Sequence, residues 1–403
     1  MAKHFKNDSE SFAADAASSA NSINDQPSIT EDAVNGDLHE QQLEEMFGPT
    51  HNRKEPLTHK QLAMRIIVGA LIASIVIILG VVAYGAYFVH TLNRSMSLSD
   101  HDAHQLEETL SESNQNDAFY VALLGSDARE GDYTSRADVN MLMRVDTTSR
   151  TITLISVPRD MQIDFAGQGV CKINAAYAYN GPAGAVSALR DFSGVDINHY
   201  AQIHFDELID LIDLLGGVEV YVPESFTTSG HTVYSGMQTL DGYEALAFTR
   251  NRYQSVAGDF GRAQAQRIVV EAIINKVLTQ SPAELPHTIT AIASCFSTDF
   301  KVEDIVSLAS KFQAGDYTIY SAICPSYSFE ENGVSYVGVM YDEWRTMMCY
   351  VDAGMDPAST EEIPKAQLDN KDLGSASNAV STRDYASIVE SSVLTTDDVV
   401  NID

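Results

Sequence analysis

From Ile66 to Val89 the chain is apolar without interruption (IIVGALIASIVIILGVVAYGAYFV), with no charge and with Ser74 its only hydroxyl outside the tyrosines. A helix of about 20 apolar residues crosses a bilayer, and few soluble helices are apolar on every side. The run predicts a permanent membrane anchor, too far along the chain for a cleaved signal peptide. After it the pattern changes to short apolar runs bounded by turn residues. Ala118 to Leu124, Val139 to Val145 and Ile152 to Val157 read as buried strands, the last two separated by the turn-like Asp146-Thr147-Thr148-Ser149-Arg150. Lys172 to Asn180 and Gly184 to Phe192 are helical in composition, interrupted by Gly181-Pro182, and Ile197 to Phe205 reads as a strand.

Leu208, Ile209, Ile212 and Leu215 then fall at helical spacing, with Asp206 as N-cap and Gly216-Gly217 as the stop, before Val218 to Val222 resumes a strand. Pro223 to Gly236 reads as a loop and Tyr243 to Phe248 as a short helix. Arg262 to Leu278 is a helix with Ile268, Val269, Ala272, Ile273 and Val277 on its core face. Helices near Leu285 to Cys295 and Val302 to Phe312, a strand at Tyr317 to Ile323 and an amphipathic piece at Tyr341 to Val351 complete the pattern. Strands and helices mixed in this way predict an α/β fold, an α-β-α sandwich around a central mixed β-sheet, with disordered acidic termini.

Composition divides the 403 residues further. Residues 1–60, rich in Asn, Asp, Ser and Glu, read as a disordered cytoplasmic segment, and 66–89 as the transmembrane anchor. Residues 90–116, with leucines too sparse for a firm helix, read as an extracytoplasmic stalk. A folded domain over 117–280, an extension over 281–355 packed on or beside it, and a disordered acidic tail over 356–403 follow. Arg53, Lys54, Lys60 and Arg65 precede the anchor, whereas Arg94 is the only Lys or Arg just after it. The basic flank places the N-terminus in the cytoplasm and the rest outside a single-pass protein. A net charge of −31 argues against nucleic acid, which needs a basic surface. In an oxidising compartment the four cysteines allow three pairings, and at least one bridge among Cys295, Cys324 and Cys349 is the preferred reading; no CxxC or His-rich spacing points to a metal.

The candidate chemistry lies at predicted strand ends. Asp127, Asp138, Arg129, Arg136 and Arg159 gather there, and Arg250 and Arg252, two apart in an extended segment, point the same way. Carboxylates suit a hard cation and arginines suit phosphate oxygens, although structural salt bridges explain Asp127 and Asp138 equally well. Arg262 and Gln266, one turn apart at a helix start, add donors where a helix N-terminus favours an anion. Asp160 and Asp259 are candidates for a proton acceptor.

The ordered segments GSDAR, RADVNMLM, SVPRDM, KINAAYAY, LIDLLGGVEV, LDGYEALAFTRNR and GDFGR, spread over 117–278, resemble the LytR-CpsA-Psr family of cell-wall ligases. The resemblance implies a membrane-anchored phosphotransferase that moves a glycopolymer, such as a teichoic acid, from a polyprenyl pyrophosphate carrier to peptidoglycan. It further implies that Asp127 and Asp138 hold Mg2+, or Mn2+ in its place, and that Arg129, Arg136, Arg159, Arg250 and Arg252 bind the pyrophosphate, with Arg262 and Gln266 close by. An apolar tunnel for the prenyl chain is also implied, although Ile173, Leu208, Ile212 and Phe248 each read as well as plain core. Two departures stand out: Ala265 where the family often has arginine, and Asn180 where glycine is usual. A polyprenyl pyrophosphate hydrolase using water as acceptor, and a non-enzymatic anchored module binding wall polymer, are the competing readings.

Overall fold

Alternation along the strands decides the layers. In the computed structural model the described residues are 58–112, 117–127, 135–228, 231–251, 258–390 and 394–397. Strand β1 (Phe119–Ser126) sends Tyr120, Ala122 and Leu124 to one face and Phe119 and Val121 to the other, and the two sets enter different apolar clusters. Strands β2 (Ala137–Asp146) and β3 (Thr151–Ser156) alternate likewise, with Leu142 and Ile155 on the first face and Met141, Val145 and Leu154 on the second.

The hairpin β4 (Gln162–Phe165) with β5 (Gly169–Lys172) follows, then β6 (Ile197–His204). Short antiparallel pairs come next, β7 (Val218–Val222) with β10 (Gly236–Leu240) and β8 (Phe226–Thr228) with β9 (His231–Val233). The last strands are β11 (Ser297–Thr298), β12 (Thr318–Ile323) and the hairpin β13 (Ser326–Glu331) with β14 (Val334–Val339). The central sheet is six-stranded, in the order β11-β6-β1-β2-β3-β12. Strands β6, β1, β3 and β12 run parallel, while β2 and β11 oppose them, so the sheet is mixed.

The helices, in chain order, are α1 (His59–Ser95), α2 (Asp100–Thr109), α3 (Ala175–Ser193), α4 (Phe205–Leu214), α5 (Gly242–Arg250), α6 (Gly258–Leu278), α7 (Leu285–Ile292), α8 (Val302–Gln313), α9 (Tyr341–Asp352), α10 (Lys365–Asp369) and α11 (Ala386–Val389). Phe192 of α3 and Trp344 of α9 meet at 5.4 Å over the first face. Helices α6, α7 and α8 cover the second. The folded domain lies within the unit Ile78–Asp403. No residue of α1 is buried, and it is long and apolar enough to cross a membrane.

Several expectations are corrected. Residues 90–112 are not a loose stalk: α1 runs on to Ser95, Met96 and Leu106 are fully buried, and Asn93 Oδ1 accepts the Val302 N–H at the start of α8 (3.0 Å). Residues 356–390 and 394–397 form a packed strap rather than a disordered tail. Leu373 and Ala376 are buried, the Gly374 N–H donates to Ser193 O, and the Thr396 N–H donates to Ser326 O. Polar composition concealed this, because the strap is held mainly through its backbone. Region 281–355 is no appendage, since β11 and β12 complete the central sheet. All four cysteines are free thiols, and burial pushes the Cys324 thiol up. The expected loop 223–236 contains β8 and β9. Residues 1–57 lie outside the described residues.

Candidate functional site

The C-terminal ends of β1, β3 and β6 lie together, the usual place for a ligand in an open α/β sheet. Asp127 follows β1 directly, and its Oδ1 accepts from Ser135 Oγ at 2.7 Å. Across the ladder Gly125 pairs with Val139 but Ser126 with Ala137, leaving Asp138 as the extra residue of a bulge. A bulge re-aims a side chain, and here it turns Asp138 toward Arg159, whose Nη1 donates to Asp138 Oδ1 at 2.6 Å. Gly125 is required beside it: a Cβ there would stand 2.6 Å from Val139 Cγ2.

Arg159 is the hub. Its Nε lies 3.6 Å from Asp259 Oδ2 and 4.0 Å from Asp160 Oδ1. Asp259 in turn accepts from Arg262 Nη2 at 2.8 Å, and Asp160 pairs with Lys172 Nζ at 3.1 Å. Burial pulls the Arg159 guanidinium down, but the Asp138 hydrogen bond and the charges of Asp259, Asp138 and Asp160 outweigh it and hold its pKa above the ordinary value. Arg159 Nε and the neighbouring Asn140 Oδ1 are buried without a hydrogen-bond partner among the described residues. Both line a small polar notch together with Asp259, Arg262 and Gln266.

Arg136 is exposed immediately before β2, at the same sheet end. Arg250 is the last residue of α5, not part of an extended segment, and its guanidinium sits 4.5 Å over the Phe205 ring at the start of α4. Arg129 and Arg252 lie outside the described residues. Arg262 and Gln266 do not stand at the helix start: α6 begins at Gly258, so both are buried one and two turns in. Lys172 and Asn140 belong to the cluster and went unnoticed as site residues in the sequence; Lys172 opens the KINAAYAY segment, which was a usable signal. Asp259 and Asp160, considered above as bases, are engaged in holding arginine and lysine.

Gln266 also borders a second space. Between the sheet and helices α4, α6, α7 and α8 lies an apolar cavity of about 340 Å³, lined by Val121, Met143, Leu208, Val270, Ile273 and Phe312 among others. Leu208 thus faces the cavity, whereas Ile173, Ile212 and Phe248 are core residues. One glutamine links a charged notch to an oily cavity.

The pair of sites describes a class of mixed α/β domain in which a charged notch at the strand ends adjoins an apolar cavity between sheet and helices. The chain belongs to the LytR_cpsA_psr family, whose model matches residues 86–348. That span includes most of the region beyond 280, which motif spacing alone had left outside. The polyisoprenyl-teichoic acid–peptidoglycan teichoic acid transferase TagU of Enterococcus faecalis is 30% identical over 266 residues, 65% of this chain and 88% of that protein. The transferase of the same name from Bacillus subtilis is 37% identical over 164 residues, covering 40% of this chain and 53% of that one. The crystal structure of B. subtilis TagV, 25% identical, aligns with a TM-score of 0.50 over 56% of this chain and 91% of that one.

Among the described residues no three His, Cys, Asp or Glu side chains gather as a metal site, so a cation here would rest on two carboxylates and on ligands from the substrate. Asp127 and Asp138 sit at the ends of adjacent strands, and the hydrogen bonds described use Oδ1 of each. Their remaining oxygens suit Mg2+, which needs one or two carboxylates when phosphate supplies further ligands.

Proposed function

We propose that this protein is a membrane-anchored phosphotransferase that moves a glycopolymer from a polyprenyl pyrophosphate carrier to a peptidoglycan hydroxyl, forming a phosphodiester. The observation that carries the reading is the shared border at Gln266, where a cluster of arginines meets an apolar cavity. A prenyl pyrophosphate has that same division between charged head and oily tail. Asp127 and Asp138 would hold Mg2+, which when bound neutralises phosphate charge.

The chain's own groups do the rest. Arg159, oriented by Asp138 and Asp259, and Arg262, oriented by Asp259, present fixed donors to the pyrophosphate; Arg250 and Arg136 approach from the rim, and Arg129 and Arg252 are assigned there from the sequence. The acceptor hydroxyl's oxygen forms a bond to the phosphorus that carries the glycopolymer and its proton passes to solvent water, while the bond from that phosphorus to the bridging oxygen breaks and polyprenyl phosphate leaves. Guanidinium groups already in place stabilise the charge on the departing phosphate. The cavity keeps the tail out of water. Helix α1 would anchor the domain beside a lipid-borne substrate, with the basic flank ahead of it keeping the N-terminus cytoplasmic.

Arg159→Ala or Asp138→Ala should abolish attachment of the glycopolymer to the wall while leaving a folded protein; unchanged attachment would sink the reading. Purified protein given the lipid donor should release a sugar-phosphodiester product only when a sugar acceptor is present. Glycopolymer phosphate formed equally with water alone would make it a hydrolase instead.

A further inference from the structure

A second groove, remote in character from the first, lies among α2, α3, the β4–β5 hairpin and the C-terminal strap. It measures about 840 Å³, and its walls present Gln105, Asp164, Asn180, Ser187, Arg190 and Asn378. Apart from the Arg190 guanidinium these are amides, a hydroxyl and a carboxylate, groups that complement sugar hydroxyl and acetamido substituents. Phe165 supplies an apolar wall, and its ring stacks against the exposed Tyr179 at 6.1 Å.

Two details narrow the ligand. Asn378 donates from Nδ2 to Ala188 O at 3.0 Å, but its buried Oδ1 has no hydrogen-bond partner among the described residues. That carbonyl is suited to accept an N–H from a ligand, as an acetamido group would offer. Arg190 is spent internally on Asp191, Ser187 Oγ and Thr109 O. With Asp191 paired to Arg190, Glu108 and Asp164 leave the groove acidic, which disfavours a phosphate-bearing polymer.

We propose that this groove binds a neutral, N-acetylated glycan strand, the chemistry of a peptidoglycan acceptor, and holds it beside the transfer site. The identity of the strand as acceptor rests on the function proposed above. Asp164 follows Arg159 by five residues, so at most about 17 Å of extended chain separates groove from cluster. A strand held in the groove presents its neighbouring sugars to the cluster at high effective concentration. Part of the wall, Ser377 and Asn378, comes from the strap beyond residue 348, where the family match ends.

The test is calorimetric titration of the full chain in detergent with the tetramer of N-acetylglucosamine. Saturable binding is expected, weakened at least tenfold in a Gln105→Ala/Asp164→Ala double variant, both exposed positions, and unchanged in Arg159→Ala. The double variant should also raise KM for a polymeric peptidoglycan acceptor with kcat unchanged. No binding, binding lost in Arg159→Ala but kept in the double variant, or tighter binding of a polyglycerol phosphate would overturn it. Sugar binding without any transfer activity would uphold the groove while removing the proposed reaction.

Discussion

Arg159 is the hub of the ion pairs at the candidate site. Three carboxylates surround it, and its pKa is held above the ordinary value, so it stays charged wherever the protein is folded. Its Nε, within 4.0 Å of Asp259 and Asp160, and Asn140 Oδ1 are buried without a hydrogen bond among the described residues. Replacing it by alanine should lower kcat by about 10² to 10³, the scale of one lost transition-state donor, and a Lys variant should recover only part because it lacks the planar fork. Steady-state kinetics with a lipid pyrophosphate checks this. Asp146, at the end of β2, reports on acid stability instead. Burial pushes its carboxyl up, but the Ser149 N–H, the Arg144 guanidinium and the Thr148 N–H outweigh that and hold it below its usual 3.8. Its folded pKa is depressed, so its contribution is complete above the unfolded value and is lost as pH falls through the folded one. Asp146→Asn should flatten the loss of melting temperature below about pH 4, which thermal scans at stepped pH would register. In the sequence Asp127, Asp138 and Arg159 were legible as a group, but not the bulge that turns Asp138 to Arg159, because a bulge depends on the partner strand.

Helix α6 joins the two halves of the site. Its buried face carries Arg262 and Gln266 toward the polar notch and, further along, Val270, Ile273 and Ile274 toward the apolar cavity. Periodicity predicted the helix but started it at Arg262; the extra turn from Gly258 moves both polar residues off the N-terminus and into the interior. Val270→Trp should fill the cavity and reduce transfer from a long-chain carrier more than tenfold, while a water-soluble short-chain analogue is used as before. Equal loss with both donors would detach the cavity from tail binding. Directly after Gln266, Arg267 is buried against β12 and donates from Nε to Ser321 Oγ at 3.1 Å; burial pushes it down to about 10 against the pull of Glu271. It lies apart from the cluster, and so does not replace the arginine that Ala265 lacks.

At the scale of the molecule, the C-terminal strap is the main surprise. Gly374, at φ +60°, passes so close to α9 that a Cβ would stand 2.7 Å from Arg345 Cα, and Arg345 donates to Leu368 O, Asn370 O and Leu373 O. A chain ending at Met355 loses these bonds and the burial of Leu373, about 3 kcal/mol, and should melt about 6 to 12 °C lower by calorimetry. A reporter fused after Asp403 should be active only outside the cell if the anchor points as the basic flank dictates. The sequence by itself determined what is local or compositional: the long apolar helix, the central strands, the helices from α3 to α9, and the motifs that carry the family. Those follow from periodicity and residue chemistry, which act over a few residues. Only the tertiary structure decided what depends on contacts between distant segments. It turned Asp138 to Arg159, set Asp259 between two arginines, joined notch and cavity at Gln266, and folded a polar strap onto the domain through backbone hydrogen bonds that any sequence can make.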